Sequence, residues 1–166
     1  MFFRQRKRHS VEDALKALRS RLGLTESTEP ADAARTIATI TVHKTEDKAR
    51  AIVYGADIDG QVEAGEVVWL WVPANPPAER VMLVVGRTLA GDVLGLLISP
   101  DERHADEPEW ISIGTGYWEP SGHPTWIRLD KLIEVPEHDV RREGLLFPER
   151  RFDRLAQELR RRFGWF

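Results

Sequence analysis

Between Glu66 and Ser99 the chain writes three β-rich runs with little between them except punctuation. Glu66–Val72 is followed by Pro73-Ala-Asn-Pro-Pro77, Arg80–Thr88 by Ala90-Gly91, and Asp92–Ser99 closes the series. A connection as short as Ala90-Gly91-Asp92 makes the second and third runs an antiparallel hairpin. Pro100–Pro108 reads as a charged loop, Ile111–Ile113 as a short strand and Gly114–Pro124 as a Gly/Pro/aromatic loop. Thr125–Val135 reads as one further strand. Pro148–Phe163 then changes to helical spacing through Phe152, Leu155, Ala156, Leu159 and Phe163, with Gly164 as the stop. Short strands in succession with one terminal helix predict a mainly β fold with α, a small, strongly bent barrel rather than βαβ units.

Upstream, Ser10 caps a predicted helix through Val11, Ala14, Leu15, Leu18 and Leu22, stopped by Gly23. Pro30–Arg35 opens a second short helix. Ile40–Val42 and Ala51–Tyr54 flank Lys44–Lys48 as a predicted hairpin. The expected division is a basic N-terminal extension, residues 1–54, and a barrel domain, residues 55–166.

At 166 residues the chain has the length of one domain with an arm, and its 42% apolar content excludes general disorder. Cysteine is absent. That excludes a disulfide scaffold, a thiolate zinc site and a thiol nucleophile, and it fits a reducing cytoplasm. Val67–Pro73 and Val81–Val85 are too short to span a membrane, and the charged helix after the basic Met1–His9 is no secretory signal. The net charge of −3 conceals a division. Residues 1–55 carry 11 basic against 7 acidic side chains, residues 56–139 carry 5 against 16, and residues 140–166 carry 8 against 4. Two basic ends flank an acidic middle.

Most familiar chemistries find no support. His9, His43, His104, His123 and His138 are scattered and offer no metal-ligand spacing, so neither a metal nor a cofactor is expected. The glycines form neither a phosphate loop nor a dinucleotide fingerprint, and no Gly-x-Ser-x-Gly elbow occurs. Two polar residues stand at informative places. Arg80 opens one strand of the hairpin and Ser99 ends the other, so both should sit at one rim. A guanidinium beside a hydroxyl makes a workable phosphate site. The alternative is a rim arginine paired with Glu79 or Asp101, beside a serine that merely ends its strand.

Taken in order, Gly65-Glu-Val-Val-Trp-Leu-Trp-Val72, a proline-containing loop, Glu79-Arg-Val-Met-Leu-Val-Val-Gly86 and Val93-Leu-Gly-Leu-Leu-Ile-Ser99 resemble the opening of MazF/PemK toxins. Trp126–Val135, Arg141-Arg-Glu-Gly144 and Phe152–Trp165 resemble a PemK-like branch with a longer final helix. The resemblance spans about residues 55–166. It implies an SH3-like β-barrel with a C-terminal helix, here carrying an N-terminal helical extension. It also implies a homodimeric, cytoplasmic endoribonuclease of a type II toxin–antitoxin system, with single-stranded RNA as substrate and a cognate antitoxin as partner. By that likeness Arg80 and Ser99 are the catalytic pair. The ribose 2′-hydroxyl attacks the adjacent phosphate without a metal, Arg80 stabilises or protonates the phosphoryl and leaving oxygens, and Ser99 positions the phosphate. Glu79, Asp101 and His104 are the nearby candidates for the base.

The chain departs from the family pattern in places. Val81 stands where the family has proline, and Ala74–Glu79 lacks its usual Gly-x-Glu-Gln stretch. The acidic middle requires cations from elsewhere if a polyanion is to bind. Arg141, Arg142, Arg150 and Arg151, the basic N-terminus, or an arm from a second subunit would supply them. Trp118 in the Gly/Pro loop, with Arg141 and Arg142, is an expected RNA contact, because an exposed aromatic there stacks an unpaired base. Packing of that loop against the barrel is the alternative. Trp69 and Trp71 share a side of their strand by period two, as core, dimer interface or base platform. Arg4–Arg8 reads as a nucleic-acid contact or a solvated tail, and Arg160–Arg162 as favourable charge at a helix C-terminus. Two other readings compete with the enzyme: an inactive barrel of the same kind binding a protein or nucleic acid, and a DNA-associated protein using its N-terminal helix.

Overall fold

The first two long runs become strands because both faces of each are covered. In the computed structural model, which describes residues 36–56 and 60–166, these are β2 (Glu66–Val72) and β3 (Ala78–Arg87). The earlier strand β1 (Thr41–Lys44) and the later ones β4 (Val93–Ser99), β5 (Trp110–Gly114), β6 (Thr125–Arg128), β7 (Lys131–Val135) and β8 (Arg141–Leu146) complete the sheet. One helix, α1 (Glu149–Phe163), follows it. The helices predicted within residues 1–35 lie outside the described residues.

Val67, Trp69, Leu83, Val85, Leu94, Leu96 and Ile98 pack with Phe152, Leu155, Ala156 and Leu159 of α1 on one side. Val68, Leu70, Met82, Val84 and Val93 pack with Ile133, Val135, Ala38 and Val62 on the other. That two-sided burial explains the near-continuous apolar runs. The predicted hairpin is present between β3 and β4, closed by Gly91 N–H to Thr88 O at 3.0 Å and Asp92 N–H to Thr88 Oγ1 at 3.0 Å. Gly91 takes φ +92°, which an L side chain adopts only with strain.

The ladder order is β1-β7-β4-β3-β2-β8, with β5 paired to β6 and β6 paired to β4. The end strands β1 and β8 are not paired with each other. An isolated bridge of Ile37 to Trp71, with Ala38 N–H to Trp71 O at 2.9 Å, ties the segment before β1 back to β2. The sheet is therefore not closed by its ladders into the expected barrel. It bends instead, through register shifts at Val84/Gly86, Val67/Val68 and Ser112/Gly114. The single strand predicted over Thr125–Val135 is broken at Leu129–Asp130. Leu129 N–H turns away to Glu109 O at 2.8 Å, and Thr45 Oγ1 donates to Leu129 O. As a result β6 pairs with the end of β4 at Ile98 and Ser99, and β7 with its start at Val93–Gly95.

The hairpin predicted around Lys44–Lys48 is not formed. Thr41–Lys44 pairs with β7, while Arg50 and Ile52 exchange backbone hydrogen bonds with Phe166. Ile52 is buried in the core, and the described residues Ile37–Phe166 belong to one compact unit. Strand β8 is an addition the sequence pattern did not indicate. At the chain's end α1 stops as expected, with Gly164 at φ +73°.

Candidate functional site

Arg80 and Ser99 are brought together by the β3–β4 ladder. Its last pair is Val81 opposite Ile98, and one further step along each strand reaches Arg80 and Ser99. Both side chains line a single open cavity of about 440 Å³, together with Trp69, Glu79, Trp118, Glu119 and Thr125. That size falls in the usual range for small-molecule sites, about 300–1,000 Å³. Arg80 is half-buried, and no side chain among the described residues takes its guanidinium into an ion pair or hydrogen bond. The pairing with Glu79 or Asp101 that would have made it a structural cation does not occur. Glu79 instead binds Arg141 Nη2 at 3.0 Å, and Asp101 binds Arg103 at 2.6 Å.

Ser99 is buried, and its hydroxyl has two partners. Its Oγ lies 3.0 Å from His104 Nε2 and accepts the Asp101 N–H at 3.2 Å. The segment predicted as a charged loop contains a 3₁₀ turn, Glu102–Asp106, capped by the Asp101 carboxylate accepting from Arg103 N–H. That turn carries His104 back over the end of β4. Nδ1 of the ring lies 3.0 Å from Glu107 Oε1, and the ring stacks on Trp110 at 3.5 Å with 9° between planes. The hydrogen bonds and charge of Arg103 hold the Asp101 carboxyl at about 2, well below its ordinary value.

The expected RNA contacts fare differently. Trp118 is buried, 3% exposed, with Nε1 donating to Thr125 Oγ1 at 3.0 Å, and Thr125 in turn donating to Gly114 O at 2.6 Å. Gly116 lies so close beneath the indole that a Cβ there would collide with it. Trp118 therefore is not the exposed aromatic expected there but part of the cavity wall; its neighbour Tyr117 is the exposed one, 90% accessible. The Gly and Pro residues around Trp118 suggested a solvated loop, but they let the loop fold back on Phe147, whose ring lies 5.1 Å away.

Arg141 stands over the Trp69 ring at 5.2 Å and pairs with Glu79 and Glu143, at the edge of the cavity. Arg142 is committed elsewhere: Nε and Nη2 grip the two oxygens of buried Glu66 at 2.6 and 2.9 Å, and Nη1 donates to Gly60 O. It acts as a structural cation. Arg151 donates to Thr115 O at 2.6 Å and lies over Trp118, beside a second cavity of about 660 Å³ that shares Trp118, Glu119 and Pro120 with the first. Trp69 joins the core while also lining the cavity. Of the sixteen acidic side chains of residues 56–139, five pair with arginines among the described residues, through Glu66–Arg142, Glu79–Arg141, Asp101–Arg103, Asp130–Arg128 and Glu137–Arg87. Two of those arginines, Arg141 and Arg142, come from outside the segment.

The Trp118–Thr125–Gly114 chain predicts a measurable cost. Thr125→Val leaves a buried indole N–H and a carbonyl without this partner, so stability should fall by about 2 kcal/mol or more. Urea unfolding reads this directly, and a loss below about 0.5 kcal/mol would mean that neither group depends on the hydroxyl.

An antiparallel sheet with one terminal helix, opening a polar cleft between adjoining strand ends, defines a small β protein whose site is built on strand rims, not on a nucleotide-binding α/β crevice. The chain belongs to the family of PemK-like, MazF-like toxins of type II toxin–antitoxin systems, whose family model matches residues 63–163. No curated protein matches the chain. No helix among the described residues is long and apolar enough to cross a membrane.

Proposed function

We propose that this protein is an endoribonuclease toxin that cleaves single-stranded RNA by attack of a ribose 2′-hydroxyl on the adjacent phosphate. The reading extends to a cognate antitoxin as protein partner, a homodimer as the acting form and the cytoplasm as its place of action. Family membership supports the reading, because members of this toxin family are typically endoribonucleases. The observation that carries it is the cleft itself: a half-buried guanidinium without an ion pair or hydrogen bond among the described residues and a buried strand-end hydroxyl line one open cavity.

A guanidinium there stabilises charge developing on phosphoryl oxygens without first giving up an internal partner. Ser99 is held by His104 and the Asp101 amide, so its hydroxyl is fixed beside an entering RNA linkage at little further entropic cost. Arg141, over Trp69 at the cavity's edge, would meet a flanking phosphate on exchanging its pairs with Glu79 and Glu143. Incubating the purified protein with a mixed-sequence RNA in EDTA tests the reading. Cleavage leaving 2′,3′-cyclic phosphate ends is expected, and RNA that stays intact would refute it.

A further inference from the structure

Ser99, His104 and Glu107 form a hydrogen-bonded line that leads away from the cleft. Ionised Glu107 only accepts, so the Nδ1 proton of His104 belongs in the 3.0 Å bond to Glu107. That leaves the Nε2 lone pair facing the Ser99 hydroxyl, 3.0 Å away. A hydroxyl has one proton and two lone pairs. The proton goes to His104, one lone pair takes the Asp101 N–H, and one remains for a group entering the cavity that Ser99 lines.

The ring is held against turning by its stack on Trp110, and its side chain is only 16% exposed. Around it, the 3₁₀ turn contributes Glu107 and the Asp101–Arg103 ion pair. Strand β5 contributes the Trp110 ring, and β6 contributes Arg128, 6.0 Å from that ring and paired with Asp130.

We propose that His104, oriented by Glu107, receives the ribose 2′-hydroxyl proton through Ser99; this rests on the ribonuclease reading above. As O2′ forms its bond to phosphorus, its proton passes to Ser99 Oγ and the Ser99 proton passes to His104 Nε2. The P–O5′ bond breaks, and the 5′ oxygen takes a proton from water beside Arg80. The hydroxide left is neutralised when the imidazolium returns its proton to solvent. The products are a 2′,3′-cyclic phosphate and a free 5′-hydroxyl. The other nearby carboxylates are poorly suited to the task. Asp101, held at about 2 by Arg103, is too weak a base, and Glu79 is occupied by Arg141.

Single-turnover cleavage in EDTA, followed over roughly pH 5 to 9 for the wild type, His104→Gln and Glu107→Gln, tests this. The wild-type rate should climb along an acid limb. His104→Gln should slow cleavage about a hundredfold or more and lose that limb. Glu107→Gln should move the limb toward lower pH, an effect that loosened packing alone does not produce. Folding of each variant is verified by near-UV circular dichroism. If His104→Gln does not fold, the displacement in Glu107→Gln decides the question. A folded His104→Gln protein that keeps the wild-type rate and limb, or an unmoved limb in Glu107→Gln, overturns the relay and leaves the ribonuclease reading standing. A wild type that cuts no RNA removes both.

Discussion

Arg80→Ala is expected to lower RNA cleavage by two to three orders of magnitude, about 3–4 kcal/mol of transition-state stabilisation, while leaving the fold intact. The two halves of that expectation have one cause. Because the guanidinium has no ion pair or hydrogen bond among the described residues, truncating it leaves no buried carboxylate without a partner. Its contribution begins only when a phosphate enters the cavity and charge builds on the phosphoryl oxygens. Arg80→Lys should recover part of the rate, since an ammonium supplies the charge but not the planar fork. Single-turnover rates and thermal melts on the same preparations separate the two effects. Undiminished cleavage by a folded Arg80→Ala protein would take Arg80 out of the chemistry, and growth arrest on expression should disappear in step with the rate.

Arg142→Ala should do the reverse, lowering stability by about 3 kcal/mol with little specific effect on RNA. Glu66 is 1% exposed and both of its oxygens lie on the Arg142 fork. Removing the arginine leaves a buried carboxylate that must either find water or take up a proton. Replacing both residues together, Glu66→Gln with Arg142→Met, should cost less than the single change, because no charge is then stranded. Urea titrations of the two variants measure the difference. A single variant less than about 1 kcal/mol weaker than the wild type would show that solvent reaches Glu66 once the arginine is gone.

The sheet's centre was legible because its strands carry strong local signals. Val81–Val85 and Leu94–Ile98 flank a Gly turn, and that pattern predicts the hairpin and the meeting of Arg80 with Ser99 at its rim. The edges were not legible. Strand β8 begins Arg-Arg-Glu-Gly, and an edge strand with a solvated side needs no apolar alternation. Strand β1 is four residues whose partner, β7, lies far along the chain, so the nearer Ala51–Tyr54 segment looks like its mate. Trp118 misleads for a related reason: its burial depends on tertiary packing against Phe147 and Thr125, and local composition carries no trace of that. His104 and Glu107 did leave a signal, their i, i+3 spacing. In a run read as loop, that spacing has no helical meaning until the 3₁₀ turn is seen.

Strand β4 is hydrogen-bonded to β3 along one edge and shared between β7 and β6 along the other. Ser99 itself is paired with Trp126 of β6, one step beyond the last β3–β4 pair, Val81 with Ile98. The hydroxyl is thus anchored by its strand pairing and by its bonds to His104 and the Asp101 amide, while Pro73–Pro77 and Tyr117 are exposed. On the ribonuclease reading proposed above, tuning of which nucleotide sequence is accepted falls to those exposed segments, which can change without disturbing the anchored hydroxyl.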